Sequence, residues 1–227
     1  MSEAVRFGVV GGYGSTGSVV VSELWQSSSH EIVIGARHLA KAKAFASQFD
    51  GRVTASHLDV FDSSTLDRFC SAASVIVNCG GPVMLLQDRV AQAALRARCH
   101  YVDVAGLSFV KERLLPHADE IASQGLSFVV SAGWLPGLTE LLPVYAQAHA
   151  RARMDAIDSV SAYFGDSGQW SANAFRDMAW YLRQPGASQR CLLQERPASP
   201  RQAAPSDSAG GSGRSHRMLA VFAVLDS

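Results

Sequence analysis

Apolar residues along the first 130 positions come in short strand-length runs, separated by stretches in which they recur at helical spacing. The runs Arg6–Val10, Glu31–Ala36, Arg52–Leu58, Ser74–Cys79, His100–Gly106 with its loop, and Leu126–Val130 read as six strands. Between them lie helices expected over Ser18–Gln26, Leu39–Phe49, Asp62–Ser71, Met84–Arg98 and Phe109–Ser123, the last kinked or split at Pro116. A further helix is expected over Leu138–Arg151. Val75-Ile76-Val77 is apolar without alternation, as a strand covered on both faces must be. Strict strand and helix alternation predicts an α/β fold, a Rossmann-type doubly wound parallel sheet.

The first junction carries the clearest chemistry. Gly12-x-Gly14-x-x-Gly17 stands between the first strand and its helix. Gly12 suits a turn that a Cβ would block, Gly14 lets backbone touch a pyrophosphate, and Gly17 lets the helix lie close to the strand. Tyr13, Ser15 and Thr16 share this turn, and the open amides and positive dipole end of a helix start favour phosphate. The alternative, a bare structural turn, is less consistent with a complete βαβ context.

At the tip of the second strand, where an acid would meet an NAD ribose, stands Arg37. Glu31 is at the wrong end of that strand. A guanidinium pairs with phosphate in two-pronged fashion, so NADP(H) is favoured over NAD(H). Asp59 and Val60 follow the third strand and are placed to flank an adenine. Asn78, Gly80 and Gly81 close the fourth strand, where glycines admit close backbone approach to the nicotinamide half; a buried structural amide is the competing reading for Asn78. Asp103 interrupts an apolar strand end and needs hydrogen bonds there, leaving loop bracing, capping or proton transfer as its roles.

Gly11-Gly12-Tyr13-Gly14-Ser15-Thr16-Gly17, Val75-Ile76-Val77-Asn78-Cys79-Gly80-Gly81-Pro82, His100-Tyr101-Val102-Asp103 and Gly133-Trp134-Leu135-Pro136-Gly137-Leu138-Thr139 follow the order of motifs in saccharopine dehydrogenase-like proteins, which the chain resembles over Val5–Arg151. The resemblance implies a nicotinamide nucleotide in the first domain and an α+β substrate domain after the proline-glycine element. It also implies chemistry at a secondary amine, imine or related double bond. No acid-base residue carries over, so the catalytic residue is unknown; only Lys41, Lys43 and Lys111 occur in the chain.

The expected organisation is residues 1–152 as the nucleotide domain, 153–183 as the start of a second domain with a strand over Ala156–Phe164 and a helix over Ser171–Arg183, and 184–227 as a low-complexity tail. Gln184–Arg217 is rich in Pro, Ser, Gly, Ala and Arg and has too few apolar residues to offset the entropy of ordering. The second lobe is too short to cover a hydride-transfer site. The expectation is therefore a truncated or frame-shifted relative, or one completed by a partner chain.

Composition narrows the remainder. In 227 residues, 20 Lys+Arg balance 20 Asp+Glu, which argues against nucleic acid or an anionic membrane as partner and for a small-molecule substrate. No stretch reads as a signal peptide or a spanning helix, so a cytoplasmic location is expected. A homo-oligomer is compatible with the sequence. Cys70, Cys79, Cys99 and Cys191 are scattered without a C-x-x-C pair and the histidines lack ligand spacing, so no metal is expected. A short-chain dehydrogenase would need Tyr-x-x-x-Lys, and none of the five tyrosines has a lysine four positions on. Two readings remain: an NADP(H)-dependent oxidoreductase, or a nucleotide-binding module without chemistry.

Overall fold

The computed structural model describes residues 5–134, 136–151, 170–181, 183, 192–193 and 220–221. Six strands, β1 (Arg6–Val10), β2 (Glu31–Ala36), β3 (Val53–His57), β4 (Val75–Asn78), β5 (His100–Asp103) and β6 (Phe128–Val129), form one parallel sheet in the order β3-β2-β1-β4-β5-β6. The order reverses between β1 and β4, and this is where such sheets open a ligand crevice at their carboxyl ends. Registers align Gly35, Val10, Asn78 and Asp103 in one row along that edge.

Helices cover both faces of the sheet, which explains the unbroken apolar strands. Along β1 and β4 successive residues point to opposite faces. Val9 and Val77 join a core with Val21, Ile32, Ile34, Ala42 and Val53, while Val10 and Ile76 join another with Leu66, Phe69, Val90, Tyr101 and Val110. Ile32, Ile34 and Ile76 are fully buried. The Rossmann-type fold is thus as expected.

The helices are α1 (Ser15–Ser27), α2 (Leu39–Ala46), α3 (Ser63–Ser71), α4 (Val83–Leu86), α5 (Arg89–Arg96), α6 (Ser108–Leu114), α7 (Ala118–Ser123), α8 (Leu138–Arg151) and α9 (Ala172–Tyr181). Asp62 caps α3 by accepting from the Ser64 amide at 2.9 Å. Pro116 lies in a 3-10 turn, Leu115–His117, that splits the fifth expected helix into α6 and α7.

The single helix expected over Met84–Arg98 is instead two. Gln87 takes a left-handed φ of 54° between α4 and α5, and Arg113 holds the break by donating to Gln87 Oε1 at 2.7 Å and to Asp88 at 2.9 Å. Arg113 lies 25 residues away from Asp88 in sequence, so no local signal announces it. α2 also ends earlier than its apolar pattern suggests; Phe49, beyond its last turn, packs edge to face against Phe45 within it.

The described chain divides into two compact units. Ser171–Trp180, grouped by sequence with the second domain, belongs to the same unit as the sheet. The other unit contains the later part of α8 and an antiparallel pairing of β7 (Leu192–Leu193) with β8 (Ala220–Val221). The strand expected over Ala156–Phe164, and the tail from Gln184 apart from Leu192–Leu193 and Ala220–Val221, lie outside the described residues, as does Cys191. Among the described residues no helix is long and apolar enough to cross a membrane.

Candidate functional site

The turn from β1 into α1 is shaped by two glycines. Gly11, rather than Gly12, takes the left-handed φ of 72°; its amide donates to Gly35 O and its carbonyl accepts from Gly14 N, both at 2.9 Å. The sequence pattern assigned the tight turn to Gly12, but Gly12 is limited by packing, since an added Cβ would stand 3.1 Å from Ile34. At Gly17 a Cβ would lie 2.2 Å from Gly11 O, so α1 can start here only with glycine at that position.

This geometry leaves donors open. Gly14, Ser15 and Thr16 are exposed, Gly14 is the α1 N-cap without a side-chain partner, and the first turn holds no acid. The amides of Ser15, Thr16 and Gly17 have no acceptor among the described residues. A Cβ at Gly14 would meet only Gly11 O, at 3.2 Å, so the space above the turn is free. Tyr13, half-buried, packs against the core beside it. A cluster of open amides at a helix start fits a phosphate group.

Arg37 is exposed at the carboxyl tip of β2 and makes no hydrogen bond or ion pair with the described residues. Glu31, at the other end of β2, pairs with Arg6 at 2.8 Å. After β3, Asp59 accepts from the Phe61 amide at 3.0 Å, and its own amide and carbonyl bond Thr65 Oγ1 at 3.2 and 2.9 Å. Val60 packs against the core. The Asp59–Asp62 loop is therefore held by its own hydrogen bonds.

The tip of β4 is more occupied than a free ligand-binding amide would be. Asn78 is 5% exposed; its Oδ1 accepts from Gly80 N at 3.0 Å and its Nδ2 donates to Tyr101 Oη at 3.2 Å. Asn78 thus shapes the Gly80–Gly81 loop from within. Cys79 packs beside it, and burial, with Asp103 nearby, pushes its thiol up to about 12, so it carries no thiolate near neutrality.

Two further features shape this end of the site. Helix α9 docks on the loop, with Asn173 Nδ2 donating to Gly81 O at 3.1 Å and the Asp177 carboxylate accepting from Val83 N at 3.0 Å and Met84 N at 3.2 Å. Asp177 lies 94 residues from Val83 in the chain, beyond the reach of any local pattern. The second is the bracing role of Asp103, one of three that the sequence left open. Its Oδ1 accepts from the amides of Gly106 and Ser131, the latter at 2.9 Å. Burial raises its pKa, which the two amides and the Tyr101 hydroxyl partly offset.

Lys41, Lys43 and Lys111 are all exposed on helices. Among the described residues no group of three or more His, Cys, Asp or Glu is placed to hold a metal ion.

Residues 7–129, more than half the chain, match the model of the saccharopine dehydrogenase NADP-binding domain family. The chain belongs to that family. A saccharopine dehydrogenase-like oxidoreductase of Arabidopsis thaliana, named as probable and mitochondrial, is 32% identical over 74 residues, which are 33% of this chain and 16% of that protein. The apo saccharopine dehydrogenase (L-Glu forming) of Saccharomyces cerevisiae superposes with a TM-score of 0.56 at 23% identity, over 65% of this chain and 32% of that one. That likeness establishes a shared fold. The chain spans less than a third of the length of either relative over the matched region. In this member of the family Asn78 and Asp103, which end two of the motifs' strands, stand on the carboxyl edge of one sheet, and Gly11–Gly17 and Gly80–Pro82 lie in the loops that leave it.

Proposed function

We propose that this chain binds NADP(H) and is the cofactor-holding part of an oxidoreductase of saccharopine dehydrogenase type, acting on a carbon–nitrogen bond of a small-molecule substrate. The observation that carries this reading is that, among the described residues, the amide cluster of Ser15, Thr16 and Gly17 and Arg37 on the adjoining strand tip have no partner. Gly12, Tyr13 and Gly14 complete the diphosphate turn, and Arg37 takes the 2′-phosphate. Asp59 and Val60 flank the adenine, while Asn78, Gly80 and Gly81 back the nicotinamide end. Residues 1–152 form the cofactor domain in this reading. The cofactor, when bound, supplies or accepts the hydride; the chain's own residues bind and orient it.

A charge-assisted contact to phosphate contributes about 1.5–3 kcal/mol, or roughly a tenfold to hundredfold difference in affinity. Fluorescence titration should show NADPH bound at least about tenfold more tightly than NADH, and Arg37→Ala should erase most of that difference. Equal affinity for both nucleotides in the unaltered chain would remove the 2′-phosphate assignment, and no saturable binding of either would remove the whole reading.

A second reading is favoured by one observation. Both carboxylates that the described residues bring to the nicotinamide side, Asp103 and Asp177, are engaged by backbone amides. Asp177 commits both oxygens to amides and Asp103 one of its two, so in this reading the chain alone holds NADP(H) without turning it over. NADPH oxidation assayed with pairs of 2-oxo acids and amino acids separates the two: turnover supports the enzyme, and binding without turnover supports the module.

A further inference from the structure

The loops after β4, β5 and β6 are tied together by a continuous chain of polar contacts centred on Asp103, the last residue of β5. Asp103 is 3% exposed. Its Oδ1 holds the amides of Gly106, in its own loop, and of Ser131, beyond β6, while its carbonyl accepts from Ala132 N at 2.8 Å. The Ser131 hydroxyl donates back to Gly106 O, and Ser131 itself is held at a left-handed φ of 65°. Toward β4, Val104 N donates to Asn78 O at 3.3 Å, and Asn78 connects Tyr101 Oη with Gly80 N. Asp103 Oδ2 is buried without a hydrogen-bond partner among the described residues.

A buried carboxylate with one idle oxygen is a costly way to end a strand, because the charge loses its hydration. What the chain gains from it is specific. One acceptor fixes two amides from two different loops, and bonds to an ionised oxygen are about twice as strong as neutral ones. The Gly11–Gly17 turn, Arg37 and Asp59 take no hydrogen bond from this network.

We propose that Asp103 is a positioning residue for the nicotinamide half of the cofactor: its carboxylate locks the loops after β4, β5 and β6 into one rigid floor at that end of the sheet. This rests on the NADP(H) reading above. The adenosine half meets a different set of residues, so the two halves of the cofactor respond differently when the lock is weakened. Tight binding of the nicotinamide half needs a floor already in place, since ordering three loops on binding would cost affinity.

The test uses the full 227-residue chain and two ligands, NADPH and adenosine 2′,5′-bisphosphate, titrated by calorimetry into the unaltered protein and Asp103→Asn. The amide keeps the shape and one acceptor but removes the charge. NADPH should bind at least tenfold more weakly to the variant, with the bisphosphate unchanged within twofold. An NADPH affinity unchanged within twofold overturns the proposal, as does a parallel loss for both ligands, which is what a merely structural role would produce. If Asp103→Asn does not fold, Ser131→Ala breaks the hydroxyl link to Gly106, and a loss of about threefold confined to NADPH is expected; no such split overturns the proposal. An unaltered chain that binds the bisphosphate as tightly as NADPH also overturns it. One that binds neither ligand refutes the nucleotide reading itself.

Discussion

Gly17 shows how a single position sets the start of a helix. Its missing Cβ would fall 2.2 Å from Gly11 O, a backbone atom that cannot rotate away. Gly17→Val should therefore displace α1 and lower stability by about 1–3 kcal/mol, measured by urea denaturation. A variant as stable as the parent would show that the turn has slack. Asp103 gives a prediction of a different kind. Because burial raises its pKa in the folded chain, ionising Asp103 costs more when folded than when unfolded. Its contribution to stability is present below the usual aspartate value of about 3.9 and is lost as pH rises through the raised folded value. Denaturation of the parent and Asp103→Asn across pH should show the parent losing stability relative to the variant over that window. A pH-independent difference would mean that the carboxyl group titrates in the folded chain as it does when unfolded.

At the scale of elements, the pattern of apolar runs located β1 and β2 to the residue and named every other strand of the sheet, because strands buried on both faces must be apolar throughout. It also anticipated the interruption at Pro116, since proline has no amide to donate and crowds the preceding turn. The break between α4 and α5 and the docking of α9 were not legible, because both depend on side chains distant in sequence, Arg113 and Asp177. Asp177→Ala removes the acceptor of two backbone amides and should cost about 1–3 kcal/mol. Hydrogen exchange at Val83 and Met84 should accelerate well beyond that at Ile76 in β4. Equal acceleration at all three would show a global loss in place of a local one.

At the scale of the whole molecule, the sheet order places the crevice between β1 and β4, and the residues read as cofactor-binding come from loops on both sides of it. If NADPH binds the folded chain alone, saturation at a hundredfold excess over Kd should add about 2.7 kcal/mol of stability. Thermal unfolding with and without NADPH would detect this as a rise in Tm of several degrees for the unit that holds the sheet. No shift at saturating NADPH would exclude binding selective for the folded state.

The sequence by itself determined the alternation of strand and helix, the glycine turn that opens α1, and the arginine at the tip of β2. These follow from local rules: a strand's side chains alternate, a left-handed turn excludes a Cβ, and the residue ending a strand stands at the sheet's edge. Only the tertiary structure decided that Gly11 and not Gly12 makes the left-handed turn, that Asn78 is committed to its own loop, and that Asp103 and Asp177 bind backbone amides from other segments. Those outcomes depend on which chain segments become neighbours, and a buried polar group takes whichever partner packing brings within reach.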